Sequence, residues 1–232
     1  MGMKEDLSSN VMNIFATKWA ARAGQQVPDP VDVNLGNDAV TLTATVLYAD
    51  LAESTALVDK YTKPFAAEIY KTYLLCASKL IRVEGGEITA FDGDRVMGVF
   101  IGDTKNTSAV RCALKINYAV KEIINPAIKA QHPESTYEVR QSVGIDTSEL
   151  FVARTGIRGS NDLVWVGRAA NYAAKLCSLR DGPYASWITK DVYDVLADEA
   201  KYGGDGPRPM WEACTWNAKN ITVYRSSWTW KI

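Results

Sequence analysis

The clearest alternation in the chain is VTLTATVLYADL, where Leu42, Ala44, Val46 and Tyr48 alternate with Thr41, Thr43 and Thr45. A period of two among β-branched residues predicts a strand. Upstream, Val11, Ile14, Phe15 and Trp19 recur at helical spacing in DLSSNVMNIFATKWAARAG, with Asp6 or Ser8 as cap, and predict a first helix. QQVPDPVDVNLGND, between the two, reads as a Pro-broken connector. After the strand, Pro64 suits a helix's first turn, and FAAEIYKTYLLCASKLIRVEGG runs to a Gly-Gly stop. EITAF and RVMGVFI predict two short strands joined by DGD, since Asp-Gly favours a hairpin turn. A long helix covers roughly residues 104–131. TYEVRQSVGID and LFVARTG predict a second hairpin, DLVWVG a strand, RAANYAAKLCSLR a helix, ASWIT a strand and KDVYDVLADEA a helix. NITVYRSSWTWKI closes the chain as a strand.

Strand, helix, hairpin, helix, strand is the βαββαβ order of an α+β, ferredoxin-like core: an antiparallel sheet with helices on one face and strand-end loops along one edge. An N-terminal helix and linker over residues 1–38 precede this core. A single domain with a C-terminal β/α extension fills residues 39–232.

Composition narrows the chemistry. Of 232 residues, 47% are apolar and the net charge is -1, as in a globular protein with a sizeable core and no general attraction to nucleic acid or anionic membranes. No apolar run reaches the ~18 residues of a membrane span, and MGMKEDLSSN lacks the regions of a signal peptide, so a cytoplasmic location is expected. Cys76, Cys112, Cys177 and Cys214 show no metal-ligand spacing and read as buried thiols in a reducing compartment. The single histidine, His132, stands at a helix end before a proline, which argues against triads that need one.

Two carboxylates draw attention. Asp50 ends the first strand of the core, in LYADLAEST, and Asp94 lies in the hairpin turn of FDGDRVMGVF. If these strands are neighbours, both acids meet at one edge of the sheet, where they repel unless a cation lies between them. A hard divalent ion takes such oxygens together with substrate phosphates. Asp92 is a candidate third carboxylate, with a turn-shaping role the favoured reading. Behind Asp50, the short residues Ala52, Glu53, Ser54 and Thr55 lead into a helix whose free N–H groups suit phosphate. In VWVGRAANYAAKL, Asn171 and Lys175 are four apart and share a helix face, with Arg168 near it; an amide and a cation there suit ribose and phosphate. Each feature alone has an ordinary structural reading: an N-cap for Asp50 and a solvated helix face for the others.

Together, LYADLAEST, FDGDRVMGVF, VGID and VWVGRAANYAAKL resemble, in order, the motifs of the class III nucleotidyl cyclases. The likeness runs from about Val40 over most of the chain. It implies a homodimer with active sites at the subunit interface and two Mn²⁺ or Mg²⁺ ions per site. Asp50, Asp94 and the Leu51 carbonyl would be metal ligands. The partner subunit would supply Asn171 to orient ribose and, where the family has a transition-state arginine, Lys175. Lysine keeps the charge and loses the two-pronged geometry.

Two positions depart from the purine cyclases. Ala90 stands where they read the base with a lysine, and Val164 where adenine recognition uses a polar residue. Neither can hydrogen-bond a base edge, and a site built on such bonds discriminates by ~10⁴-fold or more. The chain is more similar to the pyrimidine cyclases of bacterial anti-phage signalling, with which Tyr48 and Arg95 agree. Tyr48 would narrow the pocket to one ring, and Arg95 would donate to a carbonyl or phosphate. Arg140 and Lys219 are further candidates for the β and γ phosphates. The expected substrate is UTP, with CTP second, because a donor suits uracil's carbonyl at position 4. The resemblance also implies a separate effector that senses the cyclic nucleotide in antiviral defence. The rivals are a retired, nucleotide-binding regulatory dimer, a diguanylate-cyclase-like enzyme (faintly echoed by EGGEI), and a plain interaction module.

Overall fold

A computed structural model describes residues 2–232. The chain divides into two compact units, residues 44–148 with 168–232 and residues 1–43 with 149–167, and the division falls within two long strands.

In the larger unit, β2 (Asp38–Leu51) enters the middle of a sheet. Its neighbours are β4 (Arg95–Phe100) on one side and β5 (Gln141–Ile157) on the other. β3 (Glu87–Asp92) forms the edge beyond β4. The four strands lie in the order β5-β2-β4-β3, the ferredoxin-like order. Beyond β5 the sheet continues through β7 (Ser186–Thr189), β11 (Ile221–Ser226) and β10 (Glu212–Trp216), with β7 parallel to β5, while β8 (Tyr202–Gly203) and β9 (Arg208–Pro209) form a separate two-stranded ladder.

The two faces of this sheet are covered differently. Leu47, Ala49 and Leu51 of β2, Val96 and Phe100 of β4, and Ile145 of β5 pack in one core with α3 (Lys63–Val83) and α4 (Lys105–Ala119). α3 starts as its sequence directs, with Thr62 accepting the Phe65 N–H and Pro64 in the first turn. A π-helical turn (Val120–Ile124) joins α4 to α5 (Asn125–Gln131), so the long helix expected here is continuous but locally underwound.

On the opposite face lies α6 (Arg168–Leu176), which belongs to the C-terminal β/α extension, while the helices of the ferredoxin-like core share one face as expected. Leu176 packs there with Trp187, Trp216 and Val223. Gly144 of β5 makes this possible: a Cβ on it would stand 2.2 Å from the Ala173 carbonyl oxygen and 2.3 Å from the Cys177 nitrogen. Coverage on both sides explains why β2 is buried without alternation from Ala44 to Leu47.

The smaller unit holds α1 (Met3–Ala16), β1 (Ala20–Ala23) parallel to the start of β2, and β6 (Ser160–Val166) antiparallel to the end of β5. Residues 20–23 were expected in the first helix; pairing with β2 overrides that preference. The helix itself starts at Met3 after Gly2, without the side-chain cap expected from Asp6 or Ser8, and buries none of its residues. The second predicted hairpin is instead one continuous strand, β5. Thr147, Ser148 and Glu149 provide no residue suited to positive φ; the reversal comes at Gly159 (φ 85°), between β5 and β6. The predicted helix KDVYDVLADEA splits into α7 (Lys190–Asp194) and α8 (Asp198–Lys201). The thiols differ too: Cys112 and Cys177 are buried, whereas Cys76 and Cys214 are only partly covered. Among the described residues, no helix is long and apolar enough to cross a membrane.

Candidate active site

The face of β2 opposite α3 and α4 carries Tyr48 and Asp50. Asp50 pairs across the ladder with Arg95, the first residue of β4. Asp94 immediately precedes Arg95, in a turn where Gly93 takes φ 61°. Antiparallel pairing thus brings together two acids that are 44 positions apart, as the hairpin reading requires. Burial pushes the Asp50 carboxyl above the usual range, the charge of Asp94 pushes it further, and Arg95 and Arg180 oppose both.

Arg180, in the loop after α6, is part of this cluster. Its Nη2 donates to Asp50 Oδ2 at 3.1 Å and to the Leu51 carbonyl oxygen at 3.2 Å. Its Nη1 donates to the carbonyls of Cys177 at 2.5 Å and Leu179 at 3.0 Å. Arg95 Nε lies 3.7 Å from Asp50 Oδ1 and has no hydrogen-bond partner among the described residues, and neither has the buried Asp94 Oδ2. Sequence reading did not find Arg180. Its contact with Asp50 spans 130 positions, and no spacing rule connects them.

These residues suit a hard divalent cation. One carboxylate oxygen is buried and unpartnered, and a cationic group already bridges the Asp50 carboxylate and the Leu51 carbonyl. Among the described residues no three His, Cys, Asp or Glu side chains group to hold a metal. The remaining ligands would therefore come from substrate oxygens and water.

Tyr48 and Ala90 each pair with Met97, so the three occupy one row across β2, β4 and β3. The Arg95 guanidinium lies 5.9 Å from the Tyr48 ring centroid. Cys177 is nearby, its thiol pushed up to about 12 by burial and then by the charge of Asp50, which makes it unreactive.

The residues behind Asp50 are less free than a helix start suggests. α2 (Ser54–Lys60) has seven residues, and the Ala52 N–H is spent on the Arg140 carbonyl at 2.8 Å. Glu53 precedes this helix at φ 59° and lies 3.7 Å from Arg140 Nη1. Arg140 and Arg180 line a cleft of 340 Å³ with Ala52, Lys121 and Tyr184.

On α6, Asn171 and Lys175 are both exposed, and among the described residues Lys175 forms no ion pair. Arg168 lies at the start of the same helix, but its guanidinium is bound to Asp146, the Thr147 carbonyl and Asp191. Lys219, in the turn between β10 and β11, sits 5.8 Å from the ring of Tyr172, the neighbour of Asn171. Val164 lies on β6 of the smaller unit, 39% exposed.

No family model matches the chain. Over its full length it is 53% identical to a uridylate cyclase of Xanthomonas perforans and 52% identical to one of Burkholderia cepacia, with 100% of each relative covered. The solved guanylyl cyclase Cya2 superposes with a TM-score of 0.67 at 17% identity, covering 82% of this chain and 94% of that one. The fold is that of a class III cyclase catalytic domain.

Proposed function

The chain belongs to the uridylate cyclase family of nucleotidyl cyclases, and on that footing we propose that it converts UTP to 3′,5′-cyclic UMP and pyrophosphate. The observation that carries the reading is the meeting of the Asp50 carboxylate and the Leu51 carbonyl at one cationic group, with the charge of Asp94 beside them and Tyr48 one row away.

Asp50, Asp94 and the Leu51 carbonyl would hold two Mn²⁺ or Mg²⁺ ions. Such ions, when bound, acidify the ribose 3′-OH and neutralise the triphosphate. The 3′-oxygen attacks the α-phosphorus in line, the bond to the bridging oxygen breaks, and pyrophosphate leaves. The protein acts as a homodimer, with Asn171 of one subunit orienting the ribose bound at the other. Lys175 offsets the charge that grows on the α-phosphate; losing one such preorganised group typically costs ~10²–10³ in rate. Arg140, Lys219 and the backbone N–H groups of Glu53, Ser54 and Thr55 hold the β and γ phosphates, while the Ala52 N–H stays on the Arg140 carbonyl. Arg168 acts through α6, whose first turn it fixes.

Tyr48 limits the base to one ring, and Arg95 donates to the uracil carbonyl. Ala90 and Val164 offer no hydrogen bond to a purine edge. The product is a second messenger for a separate effector in anti-phage defence, made in the cytoplasm. Lys175 favours a second reading, a regulatory dimer that binds nucleotide without turning it over.

Incubation of the purified chain with Mn²⁺ and each of ATP, GTP, CTP and UTP, with products identified by mass, tests this. Cyclic UMP from UTP is expected. Cyclic CMP as main product would move the preference to CTP, cyclic AMP would overturn the pocket argument, and no product from any nucleotide would favour the regulatory dimer.

A further inference from the structure

The position between the Asp50 carboxylate and the Leu51 carbonyl already carries a cation supplied by the chain. Arg180 reaches four oxygens: Asp50 Oδ2, the Leu51 carbonyl, and the carbonyls of Cys177 and Leu179 just after α6. Arg95 approaches the other oxygen of the same carboxylate at 3.7 Å. The Asp50 carboxylate thus faces two guanidinium groups, and with the charge of Asp94 beside it the four side chains sum to zero without any added ion.

We propose that Arg180 is the resident counter-ion of the acid cage, a positioning residue that a divalent cation must displace before the site can work. This rests on the assignment of Asp50, Asp94 and Leu51 as metal ligands. A cation drawn to the Asp50 carboxylate and the Leu51 carbonyl meets the oxygens that Arg180 Nη2 occupies, so both cannot bind there together. Arg180 therefore lowers affinity for bare metal and stabilises the metal-free protein. A nucleoside triphosphate, which brings its own negative charge, shifts the exchange toward the loaded site. The guanidinium has somewhere to go. Its Nη1 contacts anchor one end, and the cleft lined by Ala52, Lys121 and Arg140 opens beside the other.

The test uses Mn²⁺ without nucleotide, with free Mn²⁺ read by electron paramagnetic resonance, on the native chain, Arg180→Gln and Asp94→Asn. Arg180→Gln should bind Mn²⁺ on the order of tenfold tighter than native, because a like charge has gone from the site. In chelator it should melt below native, and saturating Mn²⁺ should close the gap. Asp94→Asn should bind more weakly. If Arg180→Gln binds no tighter than native while Asp94→Asn binds more weakly, the cage stands and the displacement idea falls. If Asp94→Asn binds like native, the ligand assignment itself falls and the inference with it.

A readout on the native chain avoids dependence on a variant's folding. The Nη2 N–H resonances of Arg180 should exchange slowly with solvent in chelator and faster once Mg²⁺ saturates the site, while the Nη1 contacts persist. Nη2 exchange that stays slow at saturating Mg²⁺ would overturn the proposal.

Discussion

Asp146 on β5 and Arg168 at the start of α6 form a two-pronged pair, with Nε to Oδ2 at 3.0 Å and Nη2 to Oδ1 at 3.2 Å, and the carboxylate has no solvent exposure. Thr189 of β7 donates to the same carboxylate at 2.5 Å. One buried acid thus joins β5, α6 and β7, and α6 carries Asn171 and Lys175. Arg168→Ala leaves that acid buried with one partner fewer, at a cost of about 2–3 kcal/mol. The cost should depend on pH in a definite direction. Burial already raises the Asp146 carboxyl above its usual value, opposed by Thr189 and Arg168, and losing Arg168 raises it further. A folded state that holds a proton more tightly than the unfolded chain loses stability as pH rises through that window. The deficit of Arg168→Ala against native should therefore shrink as pH falls from neutral toward the ordinary carboxylate range, as chemical denaturation across pH would measure. A deficit that grows on acidification would show that Asp146 is not the group left exposed to the loss.

Gly144→Ala addresses the seating of α6 directly. The new Cβ would meet backbone atoms, the Ala173 oxygen at 2.2 Å and the Cys177 nitrogen at 2.3 Å, which cannot rotate aside. The helix must lift. Overpacking of this kind costs about 1–3 kcal/mol, or a melting temperature lower by roughly 3–10 °C in a chain of this size. Gly98→Ala is the control, because its nearest neighbour is the Ile81 side chain at 3.0 Å, which can shift. Calorimetry should give the larger drop for Gly144→Ala, with turnover falling beyond what lost folded protein explains.

How much of this was readable beforehand depends on the range of the interaction. Asp50 and Asp94 were legible because local rules place each of them: alternation ends at one, and an Asp-Gly turn holds the other. Pairing of adjacent strands then does the rest. Asn171 and Lys175 were legible because helical spacing alone puts them on one face. Arg180 was not, since its partner is 130 positions away and its own segment, LRDGP, reads as an ordinary loop. The engagement of Arg168 was hidden for the same reason, since its acid lies on β5. The continuous β5 was missed because a polar interruption at Thr147–Ser148 resembles a turn until its lack of a positive-φ residue is weighed.

If sites are shared between subunits, defects on opposite sides of the interface must complement. Asp50→Ala removes a proposed metal ligand and Lys175→Ala the cation proposed to come from the partner, and each alone should be inactive. Random re-pairing of an equal mixture makes half the dimers mixed, each with one intact site, so activity should return to about a quarter of native. A chain carrying both changes should gain nothing when mixed with itself. Product formation by the re-paired mixture is the measurement, and the absence of recovery, with dimers verified, would reject the shared site.

The proposed preference for uracil rests on Arg95, which lies between the acid cage and Tyr48. Cytosine presents an amino donor where uracil presents a carbonyl, so a guanidinium there repels the one and binds the other. Arg95→Gln replaces an obligate donor by a group that can donate or accept. Loss of one charge-assisted hydrogen bond is worth about 10–100-fold, so the ratio of kcat/KM for UTP over CTP should fall by about that factor. Part of the change should fall on UTP itself, because Arg95 also offsets the charge of Asp50. The two effects separate in the kinetics: a changed ratio reports base reading, while an equal loss with both nucleotides reports the acid cage. An unchanged ratio would move the reading of the base from Arg95 to another residue.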